Sequence, residues 1–178
     1  GHLHPLNYVL GLADAARGAG VRLHEGARVL RLDTSSGVVA HTDKGSVHAR
    51  YGVLACDALI GDLDTRLAAR IMPVANYLAA TAPLLNFPIA GDLAVSDSRF
   101  VVNYFRMSAD GRLVFGGGER YTPDPPADIA AFARKHMAGV FPQLADVAID
   151  YAWGGLVSVT MSRMPHVGRF GDLFFAHG

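Results

Sequence analysis

The sequence predicts a mixed chain of the α+β and α/β classes. One portion combines a helix, a small β-meander and a buried strand; the other is an antiparallel sheet with helices. Three observations carry this. Apolar residues recur at helical spacing after Pro5 and again after Pro125 and Pro126. Strand-like runs punctuated by turn residues occupy 27–50 and 74–118. Between these lies Val53-Leu54-Ala55-Cys56, a short run of small and branched apolar residues that reads as a strand buried on both faces.

In chain order, Tyr8, Leu12, Ala15 and Ala16 continue the helix opened by Pro5 as far as Gly18 and Gly20. Val21–His24 and Ala27–Leu32 read as strands. Gly37–Thr42 and Ser46–Arg50 form a hairpin around Asp43-Lys44-Gly45, where glycine supplies the positive φ of a tight turn. Ala58–Ala69 is expected as a helix. Val74–Thr81, Arg99–Arg106 and Arg112–Gly116 read as strands, the last two joined at Ser108-Ala109-Asp110-Gly111. A helix over Ala127–Val140 sets Ile129, Phe132, His136 and Val140 along one side, and Phe141-Pro142 ends it. Val147–Val159 and Leu173–Ala176 return to strand character. The organisation divides the chain at 1–60, 61–165 and 166–178, the last segment rejoining the first.

Composition narrows the function. Lys plus Arg (16) balances Asp plus Glu (16), so no net field favours nucleic acid or an anionic membrane surface. No apolar run reaches bilayer length: Val53–Ile60 and Leu84–Val95 are broken by Asp57, Asn86, Pro88 or Asp92. Cys56 is the single cysteine, which excludes an internal disulfide and points to a reducing, cytoplasmic setting. The chain opens GHLHPLNYVLGL without an initiator methionine and closes on DLFFAHG, and so reads as an interior segment of a larger protein. The histidines show no HExxH and no Cys/His cluster at metal-ligand spacing, so no metal is expected; His166, between Pro165 and Gly168, is the one to watch. No GxSxG elbow supports acyl transfer. Gly116-Gly117-Gly118 leads into Glu119 and prolines and not into a helix, a weak phosphate-loop signal.

Four stretches carry a family resemblance: HPLNYVLGLADAARGAGVRLHEGARV, GSVHARYGVLACDALIG, RFVVNYFRMSADGRLVFGGGERY and FPQLADVAIDYAWGGLVSVTMSRMPHVG. In this order the chain resembles the FAD-dependent oxidoreductases of the D-amino-acid-oxidase and glycine/sarcosine-oxidase-like fold, and within them the gamma-glutamylputrescine oxidoreductases. The resemblance implies a partial Rossmann-like FAD-binding domain with a β-meander (1–60 and 166–178) and an antiparallel substrate-binding sheet (61–165). The glycine-rich nucleotide segment and the glycine-rich flavin loop of such proteins lie outside this sequence, and these missing segments are its implied partners. Two positions depart from the expected pattern: Asp57 stands for asparagine after Cys56, and His177 for a small or polar residue.

The implied chemistry is removal of a hydride equivalent from the carbon beside an amine, with transfer to flavin, followed by hydrolysis of the imine. The substrate is a small amine or amino acid. The implied cofactor contacts are the backbone of Val29, the small residues Ala55 and Cys56, the backbone of Gly155 and the hydroxyl of Thr160. The thiol of Cys56 is read as packing, not as a nucleophile. Asn103, Tyr104 and Arg106 lie on a strand resembling the flavin-facing sheet. Alternation places Asn103 opposite Tyr104 and Arg106. Tyr104 with Arg106 suits an amine or carboxylate, and the same pair also reads as an aromatic packed beside a solvated arginine. Trp153 is expected in the core. Two functions follow: an FAD-dependent amine oxidoreductase, or a non-catalytic remnant serving as a binding module.

Overall fold

The computed structural model describes residues 2–86, 91–122 and 124–178. The middle of the apolar run Leu84–Val95 therefore lies outside the described residues. The chain divides into two compact units, one built on Leu3–Met72 and Ser158–Gly178 and the other on Pro73–Val157. Among the described residues no helix is long and apolar enough to cross a membrane.

The Leu3–Met72 unit opens with α1 (Pro5–Gly18), with proline in its first turn and His4 Nδ1 accepting from Asn7 N. None of its side chains is buried by the described residues. Val21–His24 is not a strand. Gly20 (φ +85) turns the chain, and Val21 N bonds Ala16 O, so the helix terminus takes the amide a ladder would need. A meander follows: β1 (Val29–Asp33), β2 (Val38–Thr42) and β3 (Gly45–Ala49), in that order. Thr42 Oγ1 both donates to Gly45 O and accepts from Lys44 N, which fixes the Asp43-Lys44 turn.

The strand expected at Val53–Cys56 is β4 (Gly52–Leu54), and it is not buried on both faces: Val53 is 68% exposed while Leu54 is buried. β4 has a single described neighbour, β11 (Leu173–His177), to which it runs parallel, so it lies at a sheet edge. On the other side of β11 runs antiparallel β10 (His166–Phe170), a strand the sequence reading did not include. The core joins Val38, Leu54, Ile60, Leu67, Ile71, Leu173 and Phe175. The single helix expected over Ala58–Ala69 is instead a 3-10 turn at Asp57–Leu59 and a short α2 (Thr65–Ala68). Gly61 (φ +51) breaks the run and Asp64 starts it again, its Oδ1 accepting from Arg66 N and Leu67 N.

The Pro73–Val157 unit holds most of a five-stranded sheet in the order β6-β7-β8-β5-β9. Its strands are β5 (Ile71–Thr81), β6 (Ala94–Ser96), β7 (Tyr104–Met107), β8 (Leu113–Arg120) and β9 (Ile149–Thr160). The strand expected over Arg99–Arg106 is only β7, because Asp97 Oδ1 accepts from both Arg99 N and Asn103 N and folds that stretch into a loop. The Ser108–Gly111 turn joins β7 to β8 as expected. α3 (Ile129–Val140) begins two residues later than Ala127, at the point where Asp128 caps Ala131 N. Its buried centre is Ala133 and Met137, with Phe132 and His136 flanking. Phe105, Phe115 and Phe141 stack beneath it with Leu113 and Met137.

Gly116, Gly117 and Gly118 each make room for a neighbour. A Cβ at Gly116 would overlap the Tyr104 ring; one at Gly117 would sit 2.5 Å from Asn103 Oδ1. Gly118 (φ +81) would bring a Cβ to 2.6 Å from both His136 and Phe132. The run is a packing device inside β8, not a phosphate loop.

Phe115 is fully buried, so Phe115→Ala is expected to cost about 3–5 kcal/mol. Gly118→Ala combines a left-handed backbone with a clash and is expected to destabilise by more than about 1 kcal/mol. Urea unfolding followed by far-ultraviolet circular dichroism checks both; an unchanged midpoint for Gly118→Ala would remove the packing role assigned to it.

Candidate functional site

In the Leu3–Met72 unit, β1, β2, β3 and β4 border a groove of about 840 Å³. Val29 and the adjacent pair Ala55 and Cys56, some distance further along the chain, all line it, with Leu32, Val38 and Leu54 as its apolar floor. Val29 opens β1 beside a register shift between Val29 and Arg31. Ala55 and Cys56 follow the carboxyl end of β4, where ligands of open α/β sheets approach the backbone. Burial pushes the Cys56 thiol above its ordinary value, which keeps it protonated and argues against a nucleophile.

After Cys56 and at the end of β11 stand two residues that the sequence reading flagged only as departures, Asp57 and His177. Asp57 holds φ +50, uncommon for a residue other than glycine, and its Oδ1 accepts from Gly178 N at 3.3 Å. His177 stands opposite His166 in the β10–β11 ladder, with ring centroids 6.4 Å apart. His177 is only 5% exposed, and neither of its ring nitrogens meets a hydrogen-bond partner among the described residues. His166 Nδ1 is likewise buried and unpartnered. Burial, and then the neighbouring His166, lower the His177 pKa; Asp57 opposes them.

Thr160 does not meet its expectation as a free donor. Its hydroxyl donates to Met164 O at 2.8 Å and closes a turn in which Arg163 holds φ +57. It lines a smaller cavity of about 160 Å³ with Arg70, Met161, Ser162 and His166.

In the Pro73–Val157 unit, Tyr104 and Arg106 share one face of β7, while Phe105 points into the aromatic core. The Tyr104 ring lies across Gly116; burial, and then Glu119, raise its phenol pKa. Arg106 is half-buried, its Nη1 donates to Met107 O at 3.4 Å, and it has no carboxylate partner among the described residues. Asn103 lies outside the strand. It is buried, and its Nδ2 donates to Asp97 Oδ2 at 2.8 Å, so it closes the loop. Trp153 is not in the core: it is 42% exposed on β9, the edge of the sheet among the described residues. Gly155 faces open space, and Gly154 is the glycine that accommodates a side chain, the Tyr77 ring.

The model of a protein family described as FAD-dependent oxidoreductase matches residues 1–178, and the chain belongs to this family. It is 45% identical over 168 residues to the probable oxidoreductase OrdL of Rhizobium meliloti, covering 93% of this chain and 39% of that protein. It is 36% identical over 184 residues to the gamma-glutamylputrescine oxidoreductase of Escherichia coli, covering 100% of this chain and 43% of that protein. The chain thus spans about two-fifths of the length of these relatives. Among solved structures it resembles L-proline dehydrogenase from P. horikoshii (TM-score 0.79, 21% identity, 98% of this chain and 50% of that one). It also resembles glycine oxidase from Geobacillus kaustophilus (TM-score 0.75, 24% identity, 94% and 46%). These neighbours agree with the fold class that the resemblance implied, and the family with its FAD-dependent oxidoreductase class.

The buried histidine has a consequence for stability. A histidine whose folded pKa is depressed binds its proton more readily in the unfolded chain, so stability falls as pH drops through the ordinary value near 6.5. His177→Gln is therefore expected to flatten the stability profile between about pH 7 and 5.5. Denaturation midpoints across that range check this, and an equally steep decline in the variant would show that His177 is not its source.

Proposed function

We propose that the protein containing this chain oxidises the C–N bond of a small amine or amino acid that carries a carboxylate, a gamma-glutamylputrescine-like compound being favoured. The observation that carries the reading is Arg106: half-buried, without a carboxylate partner among the described residues, and on the same sheet face as Tyr104. A guanidinium in that setting is an acceptor site for a planar anion, because its fork can donate two parallel hydrogen bonds to a carboxylate. Tyr104, seated on Gly116, offers a phenol that stays protonated and so can donate. The E. coli relative's name supports the substrate class.

Residues 1–60 and 166–178 serve in this reading as the nucleotide portion, and 61–165 as the substrate portion. The groove fits a dinucleotide in one respect that bears on function: Ala55 is small and Val29 stands at a strand start, so backbone can approach a flat ligand there. When bound, FAD supplies the hydride acceptor. The chain's residues bind and orient: Val29, Ala55 and Cys56 along the groove, Tyr104 and Arg106 toward substrate. Gly155 and Thr160 keep weaker roles, through open backbone and a turn respectively.

In the intact protein, Arg106→Ala is expected to raise KM for carboxylate-bearing amines about 10- to 100-fold with a smaller effect on kcat, the loss of charge-assisted hydrogen bonds. Amines without a carboxylate should be affected little. Equal losses on both substrate classes would remove Arg106 from recognition. An intact protein that takes up no flavin would instead favour a non-catalytic binding role.

A further inference from the structure

We propose that Glu119 is the second charge that selects the substrate: its carboxylate pairs with a cationic nitrogen at the far end of the molecule from the carboxylate held by Arg106. This rests on the substrate role given above to Arg106 and Tyr104. Simple alternation along β8 would set Glu119 on the face of Leu113 and Phe115, which carries the aromatic core beneath α3. The ladder moves it to the other face. Leu78 stands opposite Gly116 and Asn76 opposite Glu119, so β8 takes three residues where β5 takes two. This is a β-bulge, and Gly118 accommodates it with φ +81. Residues directly opposite each other across a ladder share a face. Tyr104 also stands opposite Gly116, and Arg106 opposite Val114. The pairings therefore set Arg106, Tyr104, Val114, Leu78, Asn76 and Glu119 on one face of the sheet.

That face carries two opposite poles with an apolar floor between them. Among the described residues Glu119 has no cationic partner, Arg106 has no carboxylate partner, and the two do not pair with each other. Glu119 Oε2 accepts from the Tyr121 hydroxyl at 2.8 Å, a neutral partner that orients the carboxylate without cancelling its charge. Glu119 is half-buried, so a ligand on this face can reach it, and its charge is felt at the Tyr104 phenol. Between the poles the Tyr104 ring lies across Gly116, with the partly exposed Val114 and Leu78 on the same face. Roughly 13 Å of strand separates the ladder positions of Val114 and Glu119, taking one strand step per residue and letting the bulge absorb one. An amino acid whose amine and carboxylate share one carbon does not span that length. An extended molecule does, if it has a carboxylate at one end, methylenes between and a protonated nitrogen at the other. Opposed charges at fixed separation then discriminate by complementarity, each end of the substrate meeting its own counter-charge.

The test uses the intact protein, with gamma-glutamylputrescine as substrate and two competitive inhibitors of one shape and opposite charge. These are pivalate and tert-butylamine, whose nitrogen-bearing carbon has no hydrogen to lose. Glu119→Gln removes the charge and keeps an acceptor for Tyr121. It is expected to raise KM for gamma-glutamylputrescine about 10-fold or more and to weaken tert-butylamine by a similar factor, with pivalate unchanged. Arg106→Ala should give the reverse split between the inhibitors. Unchanged KM and unchanged tert-butylamine inhibition in Glu119→Gln overturn the assignment. Equal weakening of both inhibitors overturns it as well, since that marks a structural role. A wild type that leaves gamma-glutamylputrescine unoxidised, or an Arg106→Ala variant with undiminished pivalate inhibition, counts instead against the substrate reading above, which keeps the two failures apart.

Discussion

Gly52 pairs with Leu173, Val53 with Phe174 and Leu54 with Phe175, and these ladder positions join the early chain to its last strand. Everything proposed for the nucleotide portion depends on this short parallel contact. It seats Leu54, Leu173 and Phe175 in one core, and it brings the residues after β4 beside the end of β11. The contact is possible because Gly52 lacks a side chain: a Cβ there would lie 2.9 Å from Val38 Cγ1 and 3.1 Å from Leu173 Cδ1. Phe175 crosses Gly168 in the same way, where a Cβ would come within 2.5 Å of its ring.

The substrate portion uses the same device at greater density. Three glycines in β8 seat Tyr104, Asn103 and the α3 side chains in turn, so the position of Tyr104 is set by what its neighbour lacks. Arg112 secures the far end of that sheet. It donates to Thr81 O at 2.9 Å and to Asp110 Oδ2 at 2.6 Å, and it pairs with Asp150. Thr81, fully buried, accepts from Leu113 N and so ties β5 to β8 below the level where Tyr104 and Arg106 sit. Phe105, between those two residues, is locked against Phe141 at 4.8 Å, which holds the face of β7.

What was legible in the sequence was local. The Asp43-Lys44-Gly45 and Ser108–Gly111 turns are specified by their own residues, and both hairpins form as read. The helix at Pro5 is likewise fixed by proline and the spacing behind it. What escaped depends on partners distant in the chain or on side chains that compete for backbone. Asp97 dissolves part of an expected strand by capturing two amides, and Asp64 splits an expected helix by capping anew. β10 was invisible because His166, Gly168 and Arg169 do not alternate with apolar residues; β11 makes it a strand. For the site, Val29, Ala55 and Cys56 came through family resemblance and do share a groove. The isolation of the His177 nitrogens could not be read, since it arises from the β10–β11 register and from burial.

The chain's single tryptophan gives it a built-in optical property. Because Trp153 is partly solvated on β9, at the edge of the sheet among the described residues, a smaller shift of its emission on unfolding is expected than for a buried indole. Its fluorescence instead reports on anything that covers β9, since a strand added along that edge or an absorbing ring brought near would shift or quench the one indole there. The residue that was expected to anchor the interior serves as a surface reporter.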